Sequence, residues 1–518
     1  MSTLATGATT VAPPSTTEAA RFLAQAALGG NDQDLALVQS KGFSAWIDSQ
    51  FATSSDASHW DWMISKGFNN ITYINSSAGI DPSLWRKLMA SPDLLRQRIA
   101  LALSEVFVVS LQGLNGSWRA FAAAGYMDML SAQAFGNFRN LIEAVTLSPA
   151  MGLYLGTRGN QKESIVTGRQ PDENYAREVM QLFTIGLYQL NLDGTQKKGT
   201  NGKPIETYTL DAVSQLARVF TGWNYNKPVK EVPDHWRRNM VLNPSLHSTA
   251  SKTFLGVTIP AGVNDGVGDL KIVLDTLFNH PNLPPFFCKQ LIQRLVTSNP
   301  SPAYVQRVAQ VFKANAAGVR GDMKAVIRAV LLDNEARQLP TSATAGKLRE
   351  PMLRLVQFAR TFKAKSTSGA WNFGNTLDPD SRLGQSPMRS PTVFNFFRPG
   401  FVPGSGLVTD PTIVVPELQI STESTVVGYA NFMQSVINGS FSDLKPDYTA
   451  EIALATNATA LATRINNMLA AGQISSANLN GIASAVGTIN ASTDAGKLNR
   501  VKATIMLVMC APEYIVQK

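Results

Sequence analysis

Apolar side chains recur every three to four positions along most of the chain, and strict alternation is almost absent. That spacing predicts helices, because a 3.6-residue turn gathers such positions on one face. Start and stop signals frame them. Ser15-Thr16-Thr17-Glu18 forms a capping box that opens a helix over 19–28, and Gly29-Gly30 closes it. Ser91-Pro92-Asp93 opens another over 92–110, where serine caps, proline suits the first turn and aspartate complements the dipole. Further starts lie at Pro171-Asp172-Glu173, Thr209-Leu210-Asp211, Asn299-Pro300-Ser301-Pro302 and Gly321-Asp322. One stretch, 187–209, alternates around an Asp193-Gly194 turn and predicts a small hairpin between helices. Two proline-rich stretches, 222–268 and 366–420, resist helix, and the second carries Phe394, Phe396, Phe397 and Phe401, which predict that it packs down. The expected fold is all-α. It comprises a disordered stump over 1–14, a main helical body over 15–365, the irregular packed segment 366–420 and a C-terminal helical subdomain over 421–518.

Composition narrows this picture. The chain has 518 residues, 44% hydrophobic and 16% charged, so it is too apolar to be disordered throughout. Two cysteines, Cys288 and Cys510, exclude a disulfide scaffold. There is no apolar stretch long enough to span a membrane, and the N-terminus lacks the basic start and apolar core of a signal peptide. The formal charge of +9 is uneven: residues 151–420 hold 31 basic and 20 acidic side chains, while 1–150 hold 9 and 11. A basic middle suits an anionic partner or is simply a solvated surface. No basic run exceeds two residues, as in Lys197-Lys198 and Arg237-Arg238, so nucleic acid is not expected.

No phosphate loop, nucleophile elbow or paired-histidine metal helix is present, and the four histidines stand at no metal-ligand spacing. Neither a metal nor another cofactor is expected. Three places could carry chemistry. On the 92–110 helix, Arg98 and Glu105 lie about 20° apart on a surface apolar all round, so both should enter the interior. There they form either a structural ion-pair network or the wall of a polar cavity. On the 172–188 helix, Asn174, Arg177, Glu178, Gln181 and Thr184 form a polar stripe that either faces water or binds substrate. Glu173 and Glu178 are about 140° apart at 100° per residue, so an acid/base pair would need Glu178 with Glu105 or Glu350. The loop after Phe220-Thr221-Gly222-Trp223 offers Trp223, Arg237, Lys252 and His247, which read as a basic surface loop with a packed tryptophan or as a grip on a sugar or anionic polymer.

The chain also resembles the bacterial "domain of unknown function 1800" family along nearly its whole length. The resemblance rests on 20–26, on 95–110 (Leu95-Arg-Gln-Arg-Ile through Glu105-Val-Phe-Val-Val-Ser), and on Glu173-Asn-Tyr-Ala-Arg-Glu-Val-Met-Gln-Leu-Phe-Thr-Ile-Gly. Phe220-Thr-Gly-Trp, Lys289-Gln-Leu-Ile-Gln-Arg-Leu-Val, Gly346-Lys-Leu-Arg-Glu-Pro and Val393-Phe-Asn-Phe-Phe complete it. It implies a largely helical protein, usually exported to the periplasm or beyond, often beside a sulfatase-like partner, and brings no settled activity.

The expected function is an exported enzyme that degrades or modifies a carbohydrate or anionic polymer by hydrolysis or elimination. Glu178, Glu105 and His247 would be its catalytic groups, and Arg98, Asn174, Arg177, Gln181, Trp223, Arg237 and Lys252 would bind substrate. Such an enzyme should gather Arg98, Glu105, Arg177, Glu178 and Trp223 around one cleft. The alternative is a non-catalytic surface, assembly or polysaccharide-binding protein.

Overall fold

Local signals for helix ends act where the chain places them. In the computed structural model, which describes residues 12–340, 342, 345–404, 410 and 412–518, Ser15 and Glu18 exchange both bonds of a capping box at the start of Thr16–Ala26. Thr209, Ser301 and Asp322 likewise cap Leu210–Ala217, Pro302–Lys313 and Met323–Leu332. The fold is mostly helical. Its only sheets among the described residues are four two-stranded antiparallel pairs. The stump expected over 1–14 lies, for residues 1–11, outside the described residues.

Helices bury their apolar faces in two clusters. The larger runs from Ala19 to Ala336 and adds Met388, Met468 and Ala471. The smaller joins Pro351–Thr361 to the helices after 421, and it also takes Leu28, Trp85, Leu88, Met89 and Leu101 from the N-terminal part. The tail helices therefore share their core with the body. Helix Pro351–Thr361 is pinned there by Arg360, which donates to the Leu88 and Ser91 carbonyls at 2.6 and 3.2 Å. Gly29, at φ +93°, allows the close approach of Gln357, whose Cγ a Cβ would meet at 2.6 Å.

Three elements differ from expectation. The 92–110 helix is shorter, Leu94–Val106, because Leu111 N–H and Ser110 Oγ bond to the Met388 and Ser390 carbonyls instead of continuing the turn. The hairpin over 187–209 is a ladder of single bridges, Tyr188 with Glu206, Leu190 with Gln196 and Lys198 with Pro204. Segment 222–268 contains two small antiparallel pairs: Trp223–Asn224 with Val241–Leu242, and Lys252–Phe254 with Val257–Ile259. In 366–420 Phe396 and Phe397 are buried, while Phe394 and Phe401 are half-buried. Cys288 and Cys510 are both free thiols.

Candidate functional site

Helix Leu94–Val106 points Arg98 and Glu105 into the interior, where both are almost fully buried. Arg98 Nε donates to the Gln25 carbonyl at 3.3 Å, and its Nη2 bonds the Arg294 carbonyl. Glu105 Oε2 lies 3.4 Å from Arg294 Nη1. Lys347 Nζ donates to the Arg294 carbonyl at 2.9 Å and sits 3.2 Å from Glu417 and 3.7 Å from Glu350. Gln385 Nε2 donates to Glu350 at 2.6 Å. Three carboxylates and three cations thus meet in one interior centre, contributed by segments far apart in sequence.

The centre drives two carboxyls in opposite directions. Burial, reinforced by the charge of Glu350, pushes Glu105 up to about 8. Burial also raises Glu350, but Lys347, Arg294, the Gln385 hydrogen bond and Arg98 outweigh it and hold that carboxyl below its ordinary value. Among the described residues both Glu105 oxygens, Ser390 Oγ and Asn395 Nδ2 lack hydrogen-bond partners, and their residues line one cavity of about 10 Å³. That volume suits about one water molecule. The segment carrying Met388, Ser390, Asn395 and Phe396 covers it, so no polymer chain can reach Glu105 in this conformation.

The polar stripe lies elsewhere. Asn174–Glu178 is one α-turn that passes into a π-helix, Val179–Thr184, with Ile185 and Gly186 N–H both bonding the Met180 carbonyl at 2.9 Å. Single π-turns inside helices occur often at functional sites. Asn174 is exposed, Arg177 and Gln181 are half-exposed, and Glu178 is buried to 7% exposure with Oε2 unpartnered. Burial raises the Glu178 carboxyl, with Arg177 opposing. Tyr208 OH donates to Gln181 Oε1 at 3.2 Å, and its phenol is pushed up to about 12 by burial and the charge of Glu178. A carboxyl raised by burial, an adjacent cation and a protonated phenol can together serve general acid or base chemistry.

The Trp223 loop turns inward, and three of its four expected contact residues are buried. Trp223 is buried in its strand pair, and Lys252 and His247 are fully buried. Lys252 Nζ is 2.7 Å from Asp269 Oδ2. His247 Nε2 meets the same oxygen at 3.1 Å, and its Nδ1 meets the Thr221 carbonyl at 3.0 Å. Both ring nitrogens are engaged, so this conformation leaves His247 no free face for substrate. Arg237 alone stays exposed, bonded to Asp234 at 2.7 Å and stacked 5.0 Å from the Trp60 ring centre. The single cleft expected of an enzyme is not formed, because Arg98 with Glu105, Arg177 with Glu178, and Trp223 sit in three separate settings. A cavity of about 500 Å³ is an open hollow at Asp48, Phe51, Lys324 and Arg328. It contains none of the expected residues.

A family model described as "Protein of unknown function (DUF1800)" matches residues 21–516. The chain belongs to the DUF1800 family. No curated protein and no solved structure matches it. Within this DUF1800 chain, the groups that local reading missed as site members are Arg294, Lys347, Glu417, Asp269 and Tyr208. A signal for two of them was present: Arg294 and Lys347, like Glu350, fall inside stretches that carry the family resemblance. Nothing local marks Glu417, whose role depends on Lys347 reaching it across 70 positions of sequence.

Proposed function

We propose that the chain is an enzyme acting on a carbohydrate or anionic polymer by hydrolysis or elimination, with Glu178 as its acid or base. The observation that carries this reading is the unpartnered, buried Oε2 of Glu178 beside Arg177, Gln181 and Tyr208, which reach solvent. Burial raises the Glu178 carboxyl and so favours the acid form that would donate to a leaving oxygen, while Arg177 and Asn174 would hold the substrate's charge and hydroxyls. Work outside the cytoplasm and a sulfatase-like partner are the family's usual setting and belong to the same proposal. The test is a panel of neutral and anionic polysaccharides, assayed together for new reducing ends and for unsaturated products. The expected result is one product class, with turnover falling at least about a hundredfold in Glu178→Gln while folding is retained.

A second reading, polysaccharide binding without turnover, is favoured by one feature. The polar groups beside Glu178 reach solvent, and the expected partner carboxylate Glu105 is enclosed. In that case polymers bind, no product of either class accumulates, and Glu178→Gln leaves affinity intact.

A further inference from the structure

Ile165 and Val166 are the most exposed large aliphatic side chains of the described residues, at 100% and 96%. They do not sit on a loose loop. Ser164 and Arg169 pair across a tight hairpin, with Ser164 N–H bonding the Arg169 carbonyl at 3.0 Å, and Gly168 takes the turn at φ +70°. The base is fixed twice. Lys162 N–H bonds the Leu246 carbonyl at 2.9 Å, and Asp172 N–H bonds Asn160 Oδ1 at 2.9 Å. A fixed hairpin therefore holds two adjacent aliphatic side chains in water, where a folded surface gains nothing from them.

The charges below that tip are sorted. Lys162 and Arg169 face each other across the hairpin, Arg169 Nε bonding the Lys162 carbonyl at 2.9 Å. Neither forms an ion pair with a described carboxylate. The acid nearest the tip, Glu163, is turned inward. One of its oxygens accepts from Ser248 Oγ at 2.9 Å, and the other is buried. The result is an apolar tip with a cationic collar and the acid nearest the tip withdrawn, Asp172 standing at the base.

We propose that this hairpin is a membrane-docking tip, seating Ile165 and Val166 at the acyl boundary of an anionic lipid surface while Lys162 and Arg169 meet lipid phosphates. The order of layers is what selects this occupant. A lipid surface presents negative charge outside and apolar chains beneath, matching collar and tip in sequence. A dissolved anionic polymer would use the collar but leave the aliphatic side chains in water. A protein partner would need a preformed pocket for a convex tip, whereas a lipid layer deforms around it. This inference is independent of any role for Glu178.

The test is sedimentation of the full chain with vesicles of phosphatidylcholine alone and of an equal mixture with phosphatidylglycerol. Binding to the mixed vesicles, weakened by salt, is expected, with little binding to phosphatidylcholine alone. The double variant I165S/V166S should lose at least about tenfold in affinity, and K162Q/R169Q about thirtyfold. Each variant is melted beside the parent, and an unaltered melting temperature verifies the fold. The proposal is overturned if the parent chain ignores anionic vesicles, or if I165S/V166S binds as well as the parent. Unchanged binding by I165S/V166S, with competition by dextran sulfate, would assign the collar to an anionic polymer instead.

Discussion

Glu105 and Glu350 answer to the same buried cations, Arg98, Arg294 and Lys347, and are driven apart as acids. Only Glu350 has a strong hydrogen bond, from Gln385 at 2.6 Å, and it is the one that remains ionised. Glu105, with a single contact at 3.4 Å, retains its proton. Two carboxyls separated in this way are the usual signature of an acid and a base. Here the same separation also serves folding, since it relieves the interior of one negative charge.

The first consequence is a pH dependence of stability. Glu105 holds its proton in the folded chain up to about 8, against an ordinary value of 4.5. The folded state binds more protons in between, so this contribution is complete below 4.5 and is lost as pH rises through 8. Asp128, raised to about 6, adds the same sign at lower pH. The buried His59 and His280, depressed to about 3 and 4, act oppositely but only below their ordinary 6.5. Melting temperature should therefore fall between pH 6.5 and 8, equivalent to about 2 kcal/mol. Glu105→Gln should flatten that slope, and a slope unchanged by the substitution would refute the assignment.

Lys347 is the counter-charge for both Glu350 and Glu417. Lys347→Met leaves two carboxylates buried without it and should cost about 3–5 kcal/mol. Adding Glu417→Gln should recover part of that loss, because the second change removes one of the stranded charges. Denaturant melts of the two single variants and the double variant measure this, with non-additivity of about 1–3 kcal/mol expected.

What was legible in the sequence follows the range of the forces involved. Caps at Ser15, Thr209, Ser301 and Asp322 act over three or four residues, and all four are where the sequence places them. The burial of Arg98 and Glu105 was equally readable, because their helix has no polar face to turn outward. The helix end at Val106 was not, since Val-Phe-Val-Val continues the apolar spacing and only the Met388 and Ser390 carbonyls stop it. The inward turn of Lys252 and His247 was hidden for the same reason: their partner Asp269 lies on another helix. The exposure of Ile165 and Val166 runs against composition altogether, as two aliphatic residues give no local sign of facing water.

Gly346 ties the centre to the last strand. It sits at φ +110°, and a Cβ there would press into the Gln517 carbonyl oxygen. Its neighbour Lys347 pairs with Gln517 in the Lys347–Leu348 and Val516–Gln517 ladder. Gly346→Ala should strain the backbone and part the strands, costing about 1–2 kcal/mol from conformation alone. Hydrogen exchange should quicken at 347–348 and 516–517 before any other region changes. Uniform exchange across the chain would show that this strand does not open by itself.

The His247, Lys252 and Asp269 cluster separates structure from catalysis most directly. Among the described residues Asp269 is the only carboxylate paired with Lys252, at 2.7 Å, and both side chains are buried. Asp269→Asn should cost about 3–5 kcal/mol, since it strands a buried ammonium. Arg237→Ala, on the exposed rim of the same loop, should change stability by no more than about 0.5 kcal/mol. If His247 only braces the loop, His247→Gln should lower the melting temperature and leave turnover per folded molecule unchanged on any polymer that proves to be a substrate. A catalytic His247 would give the reverse, an intact melt with lost turnover. Its enclosure between Thr221 and Asp269 favours the first outcome.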